Sequence, residues 1–508
     1  MLGSVVGLLT AGVGLGVGEL AAVFVRPEAS PVIAVGNRVI TLTPGSVKRN
    51  AIESVGSNDK ALLISGIIII VALYGLLVGK LALRDIRYGF VGVAVFGAIG
   101  VYCAITADAS RGTDVIPSIV AAIGAAAALW LLVFMAGGDQ RKASEPAEMS
   151  GTDRRHFLQG SAALAGLAAV AGFGGRIAQH ARFSVAGKRA KVALPAPTGV
   201  AEVVPAGVDL GKSGVPWATP SSKFYRIDRA LTVPQIDPNE WRLKIHGMLD
   251  HPMTLRFEDV LSRPLIERWI TLCCVSNEVG GSLVSNALFR GTRLADLLRE
   301  AGIHPDADQL LMTGYEGTTI GAPTAAVMDG RDAMLAIGMN KDPLPTAHGF
   351  PVRVVVPGLY GYVSACKWVV DIKATTFRKD FAYWVQNGWD QQTDINLASR
   401  IDRPHSGANL STGETVSIAG VAWDQHVGVS KVEVQIGDGD WQVARLAPVP
   451  STDTWRQWVL PWTPETSGSY RIRVRATDAK GTPQQTNAAP PGPAGSTGLH
   501  AITVQVTA

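Results

Sequence analysis

Four long apolar runs in the first third of the chain constrain its fold more than any other feature of the sequence. They occupy residues 2–25, 61–83, 88–106 and 115–135. Each run approaches the roughly 20 residues that a helix needs to cross a bilayer. The chain has 508 residues, which is too many for one hydrophobic core. The sequence therefore predicts four membrane spans over residues 1–136, followed by separate folded domains.

A fifth, less apolar run covers residues 157–174 and follows Arg154 and Arg155. The segment around this arginine pair resembles a twin-arginine export signal, although the two arginines could equally be simple cytoplasmic anchors of the helix. We predict a cytoplasmic loop and this fifth helix over residues 137–178. Most of the short loops then place Lys and Arg inside and the C-terminal part outside the cell. The basic loop at residues 26–60 disagrees with that orientation.

Charge and cysteine content narrow the class of protein. The formal net charge is only +4, and no block of Lys and Arg indicates a nucleic-acid partner. The four cysteines are too few for a disulfide framework, and two of them, Cys273 and Cys274, are adjacent. We therefore expect chemical or incidental roles for the thiols.

Beyond the membrane part, the pattern of the sequence changes twice. Residues 179–220 are rich in Pro, Gly and Ala and are interpreted as a linker. Short strands alternate with brief helices over residues 221–385, which predicts a mixed α+β domain. Residues 386–508 contain period-two strands and a Gly-Asp turn, which predicts an immunoglobulin-like β-sandwich for interaction or dimerisation. The fold class is thus a transmembrane helical bundle, a central α+β domain and a C-terminal sandwich.

Candidate chemistry lies in two segments of the α+β domain. Cys274 stands where a predicted strand becomes a loop, and a thiolate there is a suitable ligand for a redox metal. The second segment, residues 348–368, carries His348, Arg353 and Lys367 around a Gly-rich turn. Arginine, lysine and closely approaching backbone amides are suited to binding phosphate.

Both segments resemble the sulfite oxidase family of molybdenum enzymes, in its membrane-anchored bacterial form. The Cys274 region is similar to the metal-ligating segment of that family, residues 348–368 to its pterin-phosphate segment, and residues 224–226 to a third motif. The resemblance covers roughly residues 221–508 and implies a Mo-molybdopterin cofactor, with Cys274 as the protein ligand of the metal. The implied cofactor contacts are Phe224, Tyr225, Arg226, His348, Arg353, Ser364, Ala365, Cys366 and Lys367. Arg226 and Tyr383 are the further implied catalytic residues.

Several of these residues have a simpler interpretation. Cys273 is interpreted as a packing residue, with the alternative that it, rather than Cys274, is the metal-ligating thiol. Cys366 could be a small core residue, and Lys367 could lay its stem on Trp368. For Tyr383, core packing is as good an explanation as a place in the substrate pocket.

Departures from the family pattern affect the substrate. The arginines that follow the cysteine in sulfite-oxidising members are replaced by Glu278 and its neighbours, and Ile227 and Asp228 stand where an Asn-His pair is expected. The leading hypothesis is an extracytoplasmic enzyme that transfers an oxygen atom to or from a small substrate, with a redox partner protein or carrier and a possible homodimer. The alternatives are a reductase of S-oxides, including methionine sulfoxide, and a cofactor-free scaffold module.

Overall fold

A computed structural model describes residues 2–44, 47, 59–136, 151–208 and 215–508. It divides into a helical unit, made of Met1–Val185 and Arg229–Gln235, and a second unit made of Ala186–Asp228 and Ile236–Ala508. The predicted loop residues 137–150 and the linker residues 209–214 lie outside the described part of the chain.

The helical unit contains five long apolar helices among its described residues. They are α1 (Leu2–Ala22), α3 (Asp59–Ala82), α4 (Ile86–Ile105), α5 (Ile116–Met135) and α6 (Gly151–Phe183). All five are long and apolar enough to cross a membrane. A shorter helix, α2 (Pro31–Leu42), occupies the segment that was interpreted as a loop. Pro31 at its first position suits a helix start because proline lacks only an N–H that has no partner there.

Helix α1 packs at the centre of this unit against α3, α5 and α6. Gly7 makes the close approach to α3 possible, because a Cβ atom at Gly7 would lie 1.8 Å from the carbonyl oxygen of Gly75. Small residues at helix crossings are typical of membrane bundles, where backbone contact replaces hydrophobic burial. The polar side chain of Arg26 is buried and donates to Asp114 over 2.9 Å.

The segment Arg229–Gln235 belongs to the helical unit although it lies far along the chain. Arg229 forms an ion pair with Asp108 at 2.9 Å, and Lys60 donates to the carbonyl of Ala230 over 2.8 Å. No local pattern in the sequence predicts this association, because the pairing residues are more than 120 positions apart.

The second unit begins with a short helix, α7 (Ala186–Ala190), inside the predicted linker. A mixed sheet and an antiparallel sheet then form the central domain. The first has the strand order β2 (Met253–Arg256), β1 (Arg242–Gly247), β10 (Val369–Thr375), β5 (Gln309–Gly314) and β6 (Thr319–Pro323), in which β1 and β10 are parallel. The other has the order β3 (Leu265–Cys273), β4 (Val284–Arg293), β7 (Met334–Met339) and β8 (Asp342–Pro343), with β9 (Arg353–Val355) also paired to β7.

Four short helices complete the central domain. They are α8 (Phe257–Leu261), α9 (Leu294–Glu300), α10 (Thr324–Met328) and α11 (Tyr383–Gln386). Strands β3, β4 and β7 are buried on both faces, which explains why they are apolar runs rather than alternating strands. The predicted mixed α+β character is confirmed.

Two further sheets form the predicted immunoglobulin-like sandwich. The first contains β11 (Ala398–Arg403), β13 (Val416–Trp423), β17 (Arg456–Trp462) and β16 (Arg445–Leu446). The second contains β12 (Asn409–Ser411), β19 (Ala501–Thr507), β18 (Gly468–Asp478), β14 (Val429–Ile436) and β15 (Gln442–Val443). Their facing sides bury Ile418, Val432, Trp458 and Val474, as expected from the period-two pattern.

Candidate active site

Cys274 lies where the chain leaves strand β3. Its backbone N–H donates to Leu283 over 2.9 Å, and its carbonyl accepts from the N–H of Asn277 over 3.0 Å, so a tight loop follows the thiol. Cys274 is half-buried, whereas Cys273 is 2% exposed. Successive side chains of an extended chain point in opposite directions, so the two thiols lie on opposite sides of the strand. All four cysteines are free thiols.

The surrounding protein affects the thiol of Cys274. Burial raises its pKa, while hydrogen bonds from Ser276 and the positive charge of Lys367 oppose that rise. Burial also raises the pKa of Cys273, and the charge of Cys274 adds to the effect. A nearby cation favours the thiolate form, which is the form that binds metals.

Arg353 is a buried cation without an acidic partner among the described residues. It is 4% exposed, and its Nη1 donates to the carbonyl of His348 over 3.3 Å. Its Nε has no hydrogen-bond partner, and within the described part of the chain no carboxylate forms an ion pair with it. Burial lowers the pKa of Arg353 to about 10. A buried charge without a partner is energetically costly. The position of this side chain is therefore suited to binding an anion.

His348 lies beside Arg353 at the end of a short turn, Thr346–His348. Its Nε2 is 3.2 Å from the carbonyl oxygen of Ser221, and its ring packs edge-on against Phe224. Burial lowers the pKa of His348 to about 4, with further contributions from the charges of Arg353 and Lys367. The imidazole is therefore neutral at pH 7 and can take part in hydrogen bonding without adding a charge.

Gly349 allows this turn to approach strand β9. Its φ is +110°, and a Cβ atom there would lie 2.9 Å from Cβ of Arg353. Glycine is the residue that adopts this left-handed conformation without steric cost. The backbone N–H of Val354 donates to Cys366 over 2.8 Å, which fixes the segment containing Lys367 alongside β9.

Lys367 and Arg226 converge on one carboxylate. Nζ of Lys367 lies 2.6 Å from Oδ2 of Asp228, and Nε of Arg226 lies 2.8 Å from the same atom. The Asp228 side chain is only 3% exposed. Burial lowers the pKa of Lys367 to about 8, although Asp228 opposes this shift. Nζ of Lys367 lies 4.7 Å from the centroid of the Trp368 ring, so the ammonium group contacts the indole, and the side chain is not the solvated one of the simpler interpretation.

Phe224 and Tyr225 cover this part of the site. Their rings stack with centroids 5.3 Å apart. Burial raises the pKa of Tyr225 well above its usual value, and the thiols of Cys274 and Cys273 add to the rise. Tyr225 is thus a neutral phenol that lies close to the thiol pair and to Arg353.

Ser364, Ala365 and Cys366 lie in the turn before Lys367. The hydroxyl of Ser364 is fully buried and lies 3.1 Å from the carbonyl of Leu359, and Ala365 donates its N–H to Gly361 over 2.9 Å. Cys366 is 1% exposed, which agrees with its interpretation as a small core residue. The contacts of Ser364 and Ala365 are with the backbone of the turn itself, so their place in cofactor binding stays a prediction.

Tyr383 begins helix α11 next to strand β6. Its N–H donates to Oγ1 of Thr319 over 2.9 Å, and its ring packs edge-on against Trp384. These contacts attach it to the β6 side of the domain. Its role in the substrate pocket stays a prediction.

Glu316 is a residue of the site that the sequence did not indicate. It lies in the turn between β5 and β6, and burial raises its pKa to about 7. The negative charge of Asp228 adds to this rise, whereas the positive charge of Lys367 opposes it. Its Oε2 has no hydrogen-bond partner among the described residues. The N–H of Tyr315 donates to Trp368 over 2.8 Å, which brings this turn beside Lys367. Only the pairing of β5 with β10 places these residues together.

The sandwich contacts the loop that follows Cys274. Oγ of Ser496 donates to the carbonyl of Asn277 over 2.6 Å, and Nη1 of Arg400 donates to Gly281 over 2.8 Å. Glu278 is exposed and lines a cavity of about 20 Å³ together with Cys273. The acidic residue nearest to the cations of the site is therefore Asp228 rather than Glu278.

Comparison with known proteins identifies both domains of this unit. Residues 230–384 match the model of the oxidoreductase molybdopterin binding domain, and residues 398–474 match that of the bacterial Ig domain. The chain is 30% identical to human mitochondrial sulfite oxidase over 306 residues, which is 51% of this chain and 55% of that protein. The chain thus spans about half the length of the sulfite oxidases that it matches.

Two other proteins extend the comparison. The uncharacterized oxidoreductase YuiH of Bacillus subtilis (strain 168) is 34% identical over 158 residues, which is 31% of this chain and 76% of YuiH. The sulfane dehydrogenase SoxCD of Paracoccus pantotrophus has a TM-score of 0.46 and 24% identity, covering 53% of this chain and 75% of that one. From the domain match and its sequence relatives, the chain belongs to the sulfite oxidase family of molybdopterin-dependent oxidoreductases and takes a Mo-molybdopterin cofactor.

Proposed function

We propose that this chain is a membrane-anchored, extracytoplasmic oxidoreductase that transfers an oxygen atom to or from a small substrate. The observation that carries the proposal is Arg353, a buried guanidinium with an unpartnered Nε in the same site as the half-buried thiol of Cys274. An anionic cofactor that also carries a metal satisfies both groups at once.

The residues of the site fit that cofactor. Cys274 would ligate molybdenum, because a soft thiolate suits this kind of metal. Arg353 would bind the phosphate end of the pterin, since a guanidinium donates two parallel hydrogen bonds to phosphate. His348 and Lys367 would complete the phosphate contacts. The remaining proposed cofactor contacts are Phe224, Tyr225, Arg226, Ser364, Ala365 and Cys366.

The bound cofactor supplies the two-electron redox chemistry, and the protein supplies orientation and charge. Phe224 and Tyr225, whose rings stack on each other, would cover the bound cofactor and limit its contact with water. The neutral ring of His348 holds its position through the carbonyl of Ser221. Asp228 holds Lys367 and Arg226 in fixed positions.

A reductase of S-oxides is the second candidate function. In this reaction the substrate gains two electrons and two protons and is released as a sulfide, while its oxygen leaves as water. The pairing of Arg226 with Asp228 favours it, because a cation that is already paired attracts a small dianion less strongly. Methionine sulfoxide in exported proteins is one substrate of this class.

The five apolar helices support membrane anchoring, and the basic loops other than the one at residues 26–60 support a cytoplasmic N-terminus. In that orientation the catalytic part lies outside the cytoplasm and exchanges electrons with a redox partner protein or carrier. Protease digestion of intact spheroplasts should then cleave the part that contains Cys274. A homodimer through the sandwich is tested by the mass of the purified protein in detergent.

Metal analysis of the purified chain tests the proposed function. We expect stoichiometric molybdenum and pterin in protein from a host that makes the cofactor, and a thiolate-to-molybdenum absorption band that disappears in Cys274→Ser. Cys273→Ser is the matched control and should keep the band. A wild-type chain with neither molybdenum nor pterin would refute the enzyme and favour a cofactor-free scaffold module.

A further inference from the structure

A short segment of the chain, residues 229–235, is held by the helical unit, although the residues before and after it belong to the second unit. The guanidinium of Arg229 contacts Asp108, in the loop between α4 and α5, at 2.9 Å, and it donates to Oγ1 of Thr41 in α2 over 3.3 Å. The Arg229 side chain is 11% exposed. Because burial reduces the screening of an ion pair by salt and water, this pair fixes the start of the segment.

Two further contacts hold the residues that follow Arg229. Nζ of Lys60 donates to the carbonyl of Ala230 over 2.8 Å. Leu231 packs against α2 so closely that a Cβ atom at Gly36 would lie 2.5 Å from its Cδ1 atom. The first three residues of the segment are therefore each in contact with the helical unit.

Asp228 immediately precedes this segment and lies in the candidate active site. Its Oδ2 contacts Nζ of Lys367 at 2.6 Å and Nε of Arg226 at 2.8 Å, and its side chain is 3% exposed. One peptide bond joins Asp228 to Arg229, so their Cα atoms are only about 3.8 Å apart. A shift of Arg229 therefore moves the carboxylate that contacts two of the proposed cofactor-binding residues.

We propose that Arg229 is a positioning residue of the cofactor site, which places Asp228 between Lys367 and Arg226 through its ion pair with Asp108. The helical unit then contributes to cofactor binding as well as to membrane anchoring, because it holds the backbone from which Asp228 extends. The role of Lys367 and Arg226 as cofactor contacts rests on the proposed function, whereas the position of Asp228 does not. The two statements are therefore tested separately.

The titration of Lys367 reports where Asp228 lies. Burial lowers the pKa of Lys367 to about 8, and the carboxylate of Asp228 opposes this shift. If Asp228 moves away while the site stays closed, the pKa of Lys367 falls further, because the buried ammonium loses its counter-ion. If the site unfolds instead, this pKa rises toward its usual value of 10.5, because water solvates the ammonium. The direction of the change distinguishes a positioning role from a general structural role.

Competitive acylation of lysine side chains over a range of pH, followed by mass spectrometry, measures the titration midpoint of Lys367. The protein is the full chain in detergent, from a host that lacks the cofactor. We expect the midpoint to fall on the order of one pH unit in Arg229→Met, and to keep its wild-type value in Arg229→Lys, which retains the ion pair. Arg176→Met is the matched control, because it removes an arginine that pairs with Glu19 in the same helical unit, and it should leave the midpoint unchanged.

Replacement of Asp108 tests the same ion pair from the side of the helical unit. Asp108→Ala should also lower the midpoint of Lys367. The double variant with Arg229→Met should show no further fall, because the two single changes break one interaction. In protein that carries the cofactor, Arg229→Met should lose pterin faster on dilution than the wild type or Arg229→Lys, as measured by the fluorescence of the released pterin.

An unchanged midpoint in Arg229→Met, or a double variant that shows the sum of the two single shifts, would overturn the proposal. If Arg229→Met raises the midpoint toward 10.5, as misfolding would, Asp108→Ala decides. A fall there supports the proposal, and no change or a rise overturns it. Wild-type protein that contains no pterin would refute the proposed function, whereas the titration of Lys367 still decides the role of Arg229, so the two failures are distinguishable.

Discussion

Replacing Arg353 with methionine should stabilise the cofactor-free protein while it abolishes cofactor binding. Burial lowers the pKa of Arg353 from 12.5 to about 10. Each unit of pKa corresponds to about 1.4 kcal/mol, so the buried charge costs about 3 kcal/mol relative to water. The buried charge lowers the free energy of unfolding at pH 7, because the side chain is charged in both the folded and the unfolded protein.

The replacement also removes a favourable contact. The hydrogen bond from Arg353 to the carbonyl of His348 is worth about 1 kcal/mol. Methionine fills a similar space and adapts to irregular gaps. The expected net gain in the free energy of unfolding is therefore about 2 kcal/mol, which corresponds to a rise in Tm of about 3 °C at an unfolding entropy of about 2.1 cal/mol/K per residue for the second unit.

Differential scanning calorimetry of protein from a host that lacks the cofactor measures this effect. With the cofactor available, the order should reverse, because only the wild-type chain gains stability from binding it. Arg299→Met, at an exposed pair, is the control and should change the free energy of unfolding by less than about 0.5 kcal/mol. A cofactor-free Arg353→Met protein that melts below the wild type would refute the reasoning.

Three further predictions follow from the same site. Because burial raises the pKa of Glu316 from 4.5 to about 7, the folded chain binds more protons than the unfolded chain between these values, and stability falls as pH rises through that window. Between pH 4.5 and pH 8 this lowers the free energy of unfolding by about 3 kcal/mol, and Glu316→Gln should remove that loss. The measurement is the fall in Tm between pH 4.5 and pH 8, which should be smaller in the variant; an unchanged pH dependence would contradict this. Gly349→Ala should lower pterin content because its Cβ would meet Arg353, whereas Gly330→Ala, which also has positive φ but open space around it, should retain the cofactor; equal losses would point to backbone strain alone. Ser496→Ala removes a hydrogen bond to the loop after Cys274, so the thiolate-to-molybdenum band should shift with molybdenum content unchanged; an identical spectrum would show that this contact does not position the loop.

Local sequence patterns were sufficient for several parts of the structure. The length and composition of the apolar runs predicted all five long helices, although helix α6 extends over Gly151–Phe183 rather than residues 157–174. Alternation along β14 and β18 predicted the sandwich. Helix α2 was missed, because its short apolar segment between basic residues resembles a loop.

Other features depended on residues far apart in the chain. The ion pair between Lys367 and Asp228 joins positions 139 residues apart. Glu316 reaches the site only through the register of β5 on β10, in which Thr313 lies opposite Asp371. No local pattern carries such information, because register depends on the packing of whole sheets.

The sequence by itself determined which residue types are available for the chemistry and where the chain can cross a membrane. Hydrophobic length and strand alternation are local properties, so the amino-acid pattern alone predicts that Cys274 lies at the end of a strand. The tertiary structure decided how the charges of the site are balanced. Burial and pairing set the state of Arg353, Asp228 and Glu316, and both arise from neighbours that only the folded chain brings together.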